Sequence, residues 1–349
     1  MTDFTPIPTS WVGPIRVSGD AVAGEVSVPL ATYESPLWPS VGRGARISRQ
    51  VEGGIHVTVV DERMTRSILL RADDAATAVA ASRAIVDRID DLRMIVEAQS
   101  RFARLLDIHT EVVGSLLFVR FAFATGDASG HNMATGAAES LIDAILAFAP
   151  ELEYGSISGN WCSDKKATAV NGLLGRGRSV VADILIPRDL VETGLRTTPE
   201  RLERLNTGKN LVGSTIAGAL RSANAHYANM LLGFYLATGQ DAANIVEGSQ
   251  GITYVEAREA GAYFSCTMPN LIVGTVGNGK GGGLPVVEDA LQRLGCRSGG
   301  EPGADARRLA ALIGATVLCG ELSLLAAQTN PGELMATHRL LERGERRTA

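Results

Sequence analysis

The chain has 349 residues, 45% hydrophobic and 20% charged, which is ordinary for a packed globular protein and long enough for more than one core. A formal net charge of −5 leaves no strongly basic domain, so no nucleic-acid partner is expected. The four cysteines (Cys162, Cys266, Cys296, Cys319) form no C-x-x-C pair and no metal-ligand spacing with histidine, which argues against a disulfide scaffold or a metal site and for a reducing, cytoplasmic setting.

The first fourteen residues are polar, with prolines at positions 6, 8 and 14, and lack the apolar centre of a signal peptide. The longest apolar runs, such as 230–237, fall far short of the ~20 residues of a membrane span, so no membrane attachment is expected. Residues 51–60 and 67–71 read as short strands, with Asp61-Glu62-Arg63 turning between them. Asp73 can cap a long helix over 75–102, where Val79, Ile85, Val86, Ile89, Met94 and Ile95 recur near helical spacing. Two β-rich segments follow, 105–113 and 116–124, hinged at Gly114-Ser115. The second puts Phe118, Arg120 and Ala122 on one face and Val119, Phe121 and Phe123 on the other. A helix over 131–148 is amphipathic through Met133, Ala137, Leu141, Ile145 and Phe148, and 154–158 returns a strand. The block 67–156 is thus an α+β unit small enough to be inserted in a larger domain. Beyond it, 179–186 and 270–276 read as strands, and 211–238, 304–327 and 332–343 as helices.

Five stretches can carry chemistry. Gly277-Asn278-Gly279-Lys280-Gly281-Gly282 matches G-x-G-x-x-G between a strand and a helix starting near Pro285. No second parallel strand with an acidic residue follows, so a glycine-rich loop at an active site, or a flexible turn, fits better than a dinucleotide-fold phosphate loop. Ser158 to Lys166 sets two lysines beside Asp164 in a loop of small residues, where a fixed cation can serve an oxyanion or simply be solvated. Asp127 precedes the 131–148 helix and suits a helix cap or a nucleotide at the helix N-terminus. His226 and Asn229 stand one turn apart on the 211–238 helix, between Lys209 and Asp241. His338 lies near the polar C-terminal tail, where a surface role is the simpler reading.

The order of these stretches resembles the hydroxymethylglutaryl-coenzyme A reductase family. Ser158–Lys166, with Asn171 and Gly175-Arg176-Gly177-Arg178-Ser179, resembles its lysine-bearing loop. Gly126-Asp127-Ala128-Ser129-Gly130-His131-Asn132-Met133 is similar to its cofactor motif D-A-M-G-M-N-M. Asn224-Ala225-His226-Tyr227-Ala228-Asn229 resembles N-A-H-A-A-N, and Gly239-Gln240-Asp241 matches G-Q-D. Ser265-Cys266-Thr267-Met268-Pro269 and Gly274-Thr275-Val276-Gly277 also fit, so the likeness runs from about Val28 to His338. Lys165-Lys166 and Asn132-Met133 resemble the class I branch, in a form without a membrane anchor.

The resemblance implies an α+β fold: a helical large domain, here 1–66 and 169–349, with an inserted nucleotide-binding domain at 67–156 and the lysine-bearing loop at 157–168. It implies a homodimer or higher oligomer with active sites shared between subunits, reducing hydroxymethylglutaryl-coenzyme A (HMG-CoA) to mevalonate and coenzyme A. The implied catalytic set is Glu34, Lys165, Asp241 and His338. Lys165 would stabilise the oxyanion formed by hydride attack, and His338 as imidazolium would protonate the coenzyme A thiolate. Glu34 would supply the alcohol proton if burial keeps it protonated, and Asp241 would set the charges of its neighbours. Implied substrate contacts are Ser40, Arg43, Arg66, Ser158, Asp164, Lys166, Lys209, His226 and Asn229, with Arg66 suited to the acyl carboxylate. Implied cofactor contacts are Ser100, Arg101, Asp127, Asn132, Met133, Gly274, Thr275, Val276 and Gly277. Ser100-Arg101 and Asn132 favour NADPH over NADH.

The chain departs from the family pattern in places. Ser35-Pro36-Leu37 follows Glu34 where a small residue and cysteine or alanine are usual, and His131 replaces a methionine. Lys280 enriches the glycine loop, and Gly344 stands where animal enzymes carry a regulatory serine. Two rival functions remain open: NAD-dependent mevalonate oxidation, and a non-catalytic coenzyme A or nucleotide sensor.

Overall fold

A computed structural model describes residues 5–279 and 281–336, with Asp3 and Arg339. In chain order the first elements are β1 (Thr9–Ser18), β2 (Gly24–Ala31), α1 (Leu37–Gln50) and β3 (Ile55–Arg71). Next come α2 (Ala75–Asp87), α3 (Ile89–Gln99), β4 (Arg104–Val113), β5 (Leu116–Ala124), α4 (His131–Phe148) and β6 (Glu153–Ser156). The chain continues with α5 (Ala169–Leu174), β7 (Gly177–Pro187), α6 (Arg188–Leu195), α7 (Pro199–Leu205), α8 (Ser214–Ile216), β8 (Ser222–Ala223) and α9 (Tyr227–Ala237). It closes with α10 (Ile245–Gly248), β9 (Gly251–Arg258), β10 (Gly261–Leu271), α11 (Pro285–Arg293) and α12 (Ala304–Gln328).

The fold is mixed α+β. One sheet path runs β2-β1-β3-β7-β10-β9-β8, with β1 parallel to β3, β8 parallel to β9 and the other pairs antiparallel. The part expected to be mainly helical therefore holds most of the strands. Its first strands and α1 went unread, because β1 mixes proline, arginine and serine into a weakly alternating run. The second half of β3 continues into an antiparallel group with β5, β4 and β6.

Two hydrophobic clusters match this division. One is built around α12, with Val41, Ile47, Val180, Phe234, Phe264 and Ile313 among its members. The other draws on Met64 to Leu152, with Ile272 reaching into it. Although no uninterrupted apolar run is long enough, α12 as a whole is long and apolar enough to cross a bilayer by length and composition, but 94% of its most apolar window is buried inside the fold.

Several expected elements differ. Asp61-Glu62-Arg63 is no turn: β3 runs straight through, because Arg63 pairs with Asp61 at 2.6 Å and Glu62 meets Arg178 at 3.4 Å and Arg307 at 2.7 Å. Charges met by lateral partners can stay in a ladder. The 75–102 helix is two helices broken at Arg88, and Asp74, not Asp73, caps the first by accepting the Thr77 amide. Asp90 and Asp91 in the first turn of α3 were the signal for that new start. The 211–238 helix is also interrupted. A π-helical stretch Asn206–Gly213 ends in α8, and the chain then turns through Gly218 (φ 71°) and Arg221 (φ 52°). It is drawn to the sheet edge, where Ser222 pairs with Gly251 and the Asn224 amide donates to the Ser249 and Gly251 carbonyls. The 270–276 strand ends at Leu271 and becomes a loop. By contrast, β4, β5 and α4 lie within a residue of expectation.

α1 crosses α12 at Gly44, where a Cβ would stand 2.4 Å from Cys319 Cα. Gly44→Ala is therefore expected to lower stability by about 1–3 kcal/mol, since backbone cannot yield as a flexible side chain would. Thermal or urea unfolding checks this, and an unchanged midpoint would show that the helices can part at no cost.

Candidate active site

The lysine-bearing loop leaves β6 and crosses over β3, with the Gly159 amide donating to the Ser67 carbonyl at 2.7 Å. Three of its residues adopt left-handed backbone: Asn160 (φ 60°), Ser163 (φ 51°) and Lys165 (φ 54°). Side chains avoid that region, so the surroundings must hold it. Asn171, fully buried, donates to the Ser163 carbonyl, and the Arg176 guanidinium, 2% exposed, donates to the Thr65 carbonyl and to Asp164 at 2.6 Å. The loop thereby presents Lys165, whose Nζ lies 2.7 Å from Asp241 Oδ2.

This ion pair borders a cleft of about 930 Å³ lined also by Arg66, Asp164, His131, Asn132, Met133 and Gly277. The hydrogen bond from Asp241 holds the Lys165 ammonium above its ordinary pKa. Burial pushes the Asp241 carboxyl up, but the Lys165 hydrogen bond and the Ala243 amide outweigh it and hold it below the usual range. Asp164 behaves likewise. Burial opposes its charge, but His131, 3.4 Å away, and Arg176 keep it ionised well below the usual carboxylate range. The cleft floor thus carries alternating fixed charges, suited to receiving charge that develops on a substrate oxygen.

Other expected residues join it unevenly. The Arg66 Nε donates to the Ile157 carbonyl, next to exposed Ser158, and Lys166 donates to the Asp164 carbonyl from the surface. Asn132 and Met133 stand in the first turn of α4, whose left-handed N-cap Gly130 (φ 92°) offers no side-chain cap. Asp127 caps a helix, but not the one beside it: its carboxylate accepts the Gly303 and Ala306 amides at 2.9 and 3.0 Å, at the start of α12. Its carbonyl accepts the Thr275 amide at 2.8 Å, and a Cβ at Gly274 would come within 2.3 Å of Ser129 N, so only glycine permits that crossing. Thr275 is buried, while Val276 is half exposed and bridges Ala128. Arg101 lines a separate hollow of about 290 Å³ with Phe102, Thr125, Gly126 and Arg178, and the Ser100 hydroxyl accepts the Ala103 amide nearby.

The remaining expected residues that the structure describes do not line the cleft. Exposed Glu34 accepts a hydrogen bond from Asn229 at 3.0 Å, so the burial invoked for its proton is absent in the single chain. His226 precedes α9 rather than sharing a helical face with Asn229, and its Nε2 sits 3.0 Å from the Gly320 carbonyl. Burial lowers the Lys209 pKa, and its Nζ donates to Asn210. Ser40 and Arg43 line another hollow, of about 500 Å³, with Arg46 and Arg196, where Arg43 pairs with Glu333 at 3.1 Å. His338 and Lys280 lie outside the described residues.

Sequence reasoning missed the buried groups behind these side chains. Glu321, fully buried on α12, accepts the Ala225 and His226 amides at 2.6 and 3.1 Å and the Thr253 hydroxyl at 2.8 Å. Arg178 ties the loop before α4 to the loop after β10 by donating to the Gly126 and Val273 carbonyls. The signal for Glu321 was available: a lone carboxylate in an apolar helix needs partners.

A lysine steadied by a carboxylate, sharing one cleft with an uncapped helix N-terminus, can steady an oxyanion and receive an anionic ligand, which suits an enzyme acting on a carbonyl group. A family model described as hydroxymethylglutaryl-coenzyme A reductase matches residues 2–343. The 3-hydroxy-3-methylglutaryl-coenzyme A reductase of Pyrococcus abyssi is 41% identical over 346 residues, covering 98% of this chain and 84% of that one. Its counterpart from Halobacterium salinarum is 42% identical over 328 residues, covering 94% and 80%. The class II enzyme of Streptococcus pneumoniae, solved bound to NADPH in open conformations, shares the fold with a TM-score of 0.74 at 20% identity, covering 94% of this chain and 86% of that one. The chain belongs to the hydroxymethylglutaryl-coenzyme A reductase family.

Proposed function

We propose that the protein reduces HMG-CoA to mevalonate and coenzyme A through two hydride transfers from NADPH, as a homodimer whose active sites each draw on both subunits. The observation that carries this reading is the Lys165–Asp241 ion pair on the wall of a cleft of about 930 Å³ that also takes in the first turn of α4. The nucleotide fits the residues present. The uncapped first turn of α4 suits its phosphates, glycine at 274 lets backbone pass closely, and exposed Arg101 beside Ser100 suits the extra phosphate of NADPH. Asn132, Met133 and the 274–277 turn would hold the remainder, and the bound cofactor supplies hydride.

The chain's own groups manage charge and protons. Lys165 donates to the thioester oxygen as it becomes an oxyanion, and Asp241 keeps that lysine protonated and aimed. Arg66, with Ser158 and Lys166 nearby, receives the acyl carboxylate, and Ser40 and Arg43 receive the coenzyme A arm. Glu34 protonates the alcohol, with Lys209, His226 and Asn229 around it, and His338 protonates the departing thiolate. A second subunit laid over Glu34 would supply the burial that the single chain lacks. The dimer reading is supported by this division, since Glu34, Lys209, His226 and Asn229 do not line the cleft of Lys165.

We read 67–156 as the inserted cofactor domain, because the second hydrophobic cluster draws almost wholly on it. Lys165-Lys166 and Asn132-Met133 support the class I branch, and four buried, free cysteines suit the cytoplasm. The test is oxidation of NADPH, and separately NADH, by purified protein with and without HMG-CoA. Substrate-dependent oxidation, with one mevalonate formed per two NADPH, is expected. No oxidation by a folded protein that binds the thioester would make it a sensor instead.

A further inference from the structure

We propose that Glu247, which no step above uses, is a positioning residue for Lys165: it holds the lysine backbone in the conformation that delivers Nζ to Asp241. The proposal rests on the role given to Lys165. The left-handed backbone of Lys165 needs an anchor, and its amide donates to Glu247 Oε1 at 3.0 Å. The same oxygen accepts the Asn244 side-chain amide at 3.1 Å. Asn244 in turn donates its backbone amide to the Asp241 carbonyl at 3.0 Å, and Asp241 accepts the Ala243 amide. A single carboxylate oxygen therefore joins the backbone of Lys165 to the turn that carries Asp241. The Lys165–Asp241 ion pair closes the same ring on the cleft side.

Glu247 is fully buried, and burial pushes its carboxyl up. Among the described residues its Oε2 has no hydrogen-bond partner, and the Arg176 Nε lies 3.7 Å from Oε1. A buried carboxylate so incompletely met is costly, and an amide or a hydroxyl could accept one backbone N–H with less penalty. What the carboxylate adds is charge. Asp241, Asp164 and Glu247 all face Lys165 and favour its ammonium form, with Arg176 and His131 facing Asp164 from the other side. Lys165 acts as the ammonium, so activity falls as pH rises through its pKa. Removing one facing negative charge brings that fall to lower pH.

The test compares Glu247→Ala and Glu247→Gln with Lys165→Ala, using the full-length protein with HMG-CoA and NADPH. Glu247→Ala loses both anchor and charge, and is expected to lower kcat by about 10–10²-fold with little change in KM for HMG-CoA. Glu247→Gln keeps an acceptor for the Lys165 amide and is expected to recover most of kcat, with the alkaline limb of its kcat–pH profile displaced to lower pH. Wild-type kcat and an unmoved limb in both variants would overturn the proposal. Equal losses in both, again with an unmoved limb, would also overturn it, leaving Glu247 a packing residue. If Glu247→Ala does not fold, the limb of Glu247→Gln decides alone. Full activity in Lys165→Ala would instead defeat the reading of Lys165 itself, whatever the Glu247 variants do.

Discussion

Replacing Lys165 with alanine is expected to lower kcat by about 10²–10³-fold, the usual loss when a preorganised oxyanion donor is removed. The loss should fall on kcat with KM for HMG-CoA nearly unchanged, because the negative oxygen exists only on the way to products. The fold should survive. The Lys165 and Asp241 side chains are 41% and 49% exposed, and an ion pair that open contributes at most about 1 kcal/mol. Thermal unfolding should therefore shift by no more than a few degrees. Lys165→Arg would keep the charge, but its planar fork cannot take the place of a point donor within a loop that holds the lysine backbone left-handed. Its kcat should stay well below wild type. Wild-type turnover in folded Lys165→Ala would remove the oxyanion role.

Glu34→Ala and Lys165→Ala are each expected to be inactive as pure proteins, yet active again when mixed in one dimer. If each active site takes Glu34 from one subunit and Lys165 from the other, a mixed dimer concentrates both lesions in one site and leaves the other intact. Random assortment of the two variants should then return about a quarter of wild-type activity, because half the dimers are mixed and each holds one intact site of two. Co-expression with two purification tags isolates the mixed dimer, and its kcat per dimer should approach half of wild type. No recovery in a verified mixed dimer would place both residues in the site of a single subunit. That outcome would require a rearrangement, since Glu34 and Asn229 meet away from the cleft that Lys165 lines.

Local features of the chain were legible where apolar residues recur at an element's own period and are buried together. The alternation of Phe118 to Phe123 placed β5, and the spacing of Met133 to Phe148 placed α4, because each pattern reports burial that a few neighbouring residues decide. The lysine loop, the Gly-Gln-Asp turn and the run 126–133 were also visible, since each is a short run that resembles the family's own. Misreadings arose where distant partners override local preference. Asp61 to Arg63 looked like a turn until Arg178 and Arg307 supplied partners for Glu62, and 211–238 looked like one helix until the sheet edge claimed Ser222 and Asn224.

The sequence by itself determined the family, the hairpin of β4 and β5, the helix α4 whose first turn lines the cleft, and the residue types of the lysine loop. Only the tertiary structure decided that Asp127 caps α12 from 176 residues away, that Glu247 holds Lys165 from behind, and that Glu34 stays outside the cleft of Lys165. The physical reason is range. Periodicity and turn chemistry act across a few residues, whereas a buried carboxylate must take whatever amides and cations the finished fold brings to it.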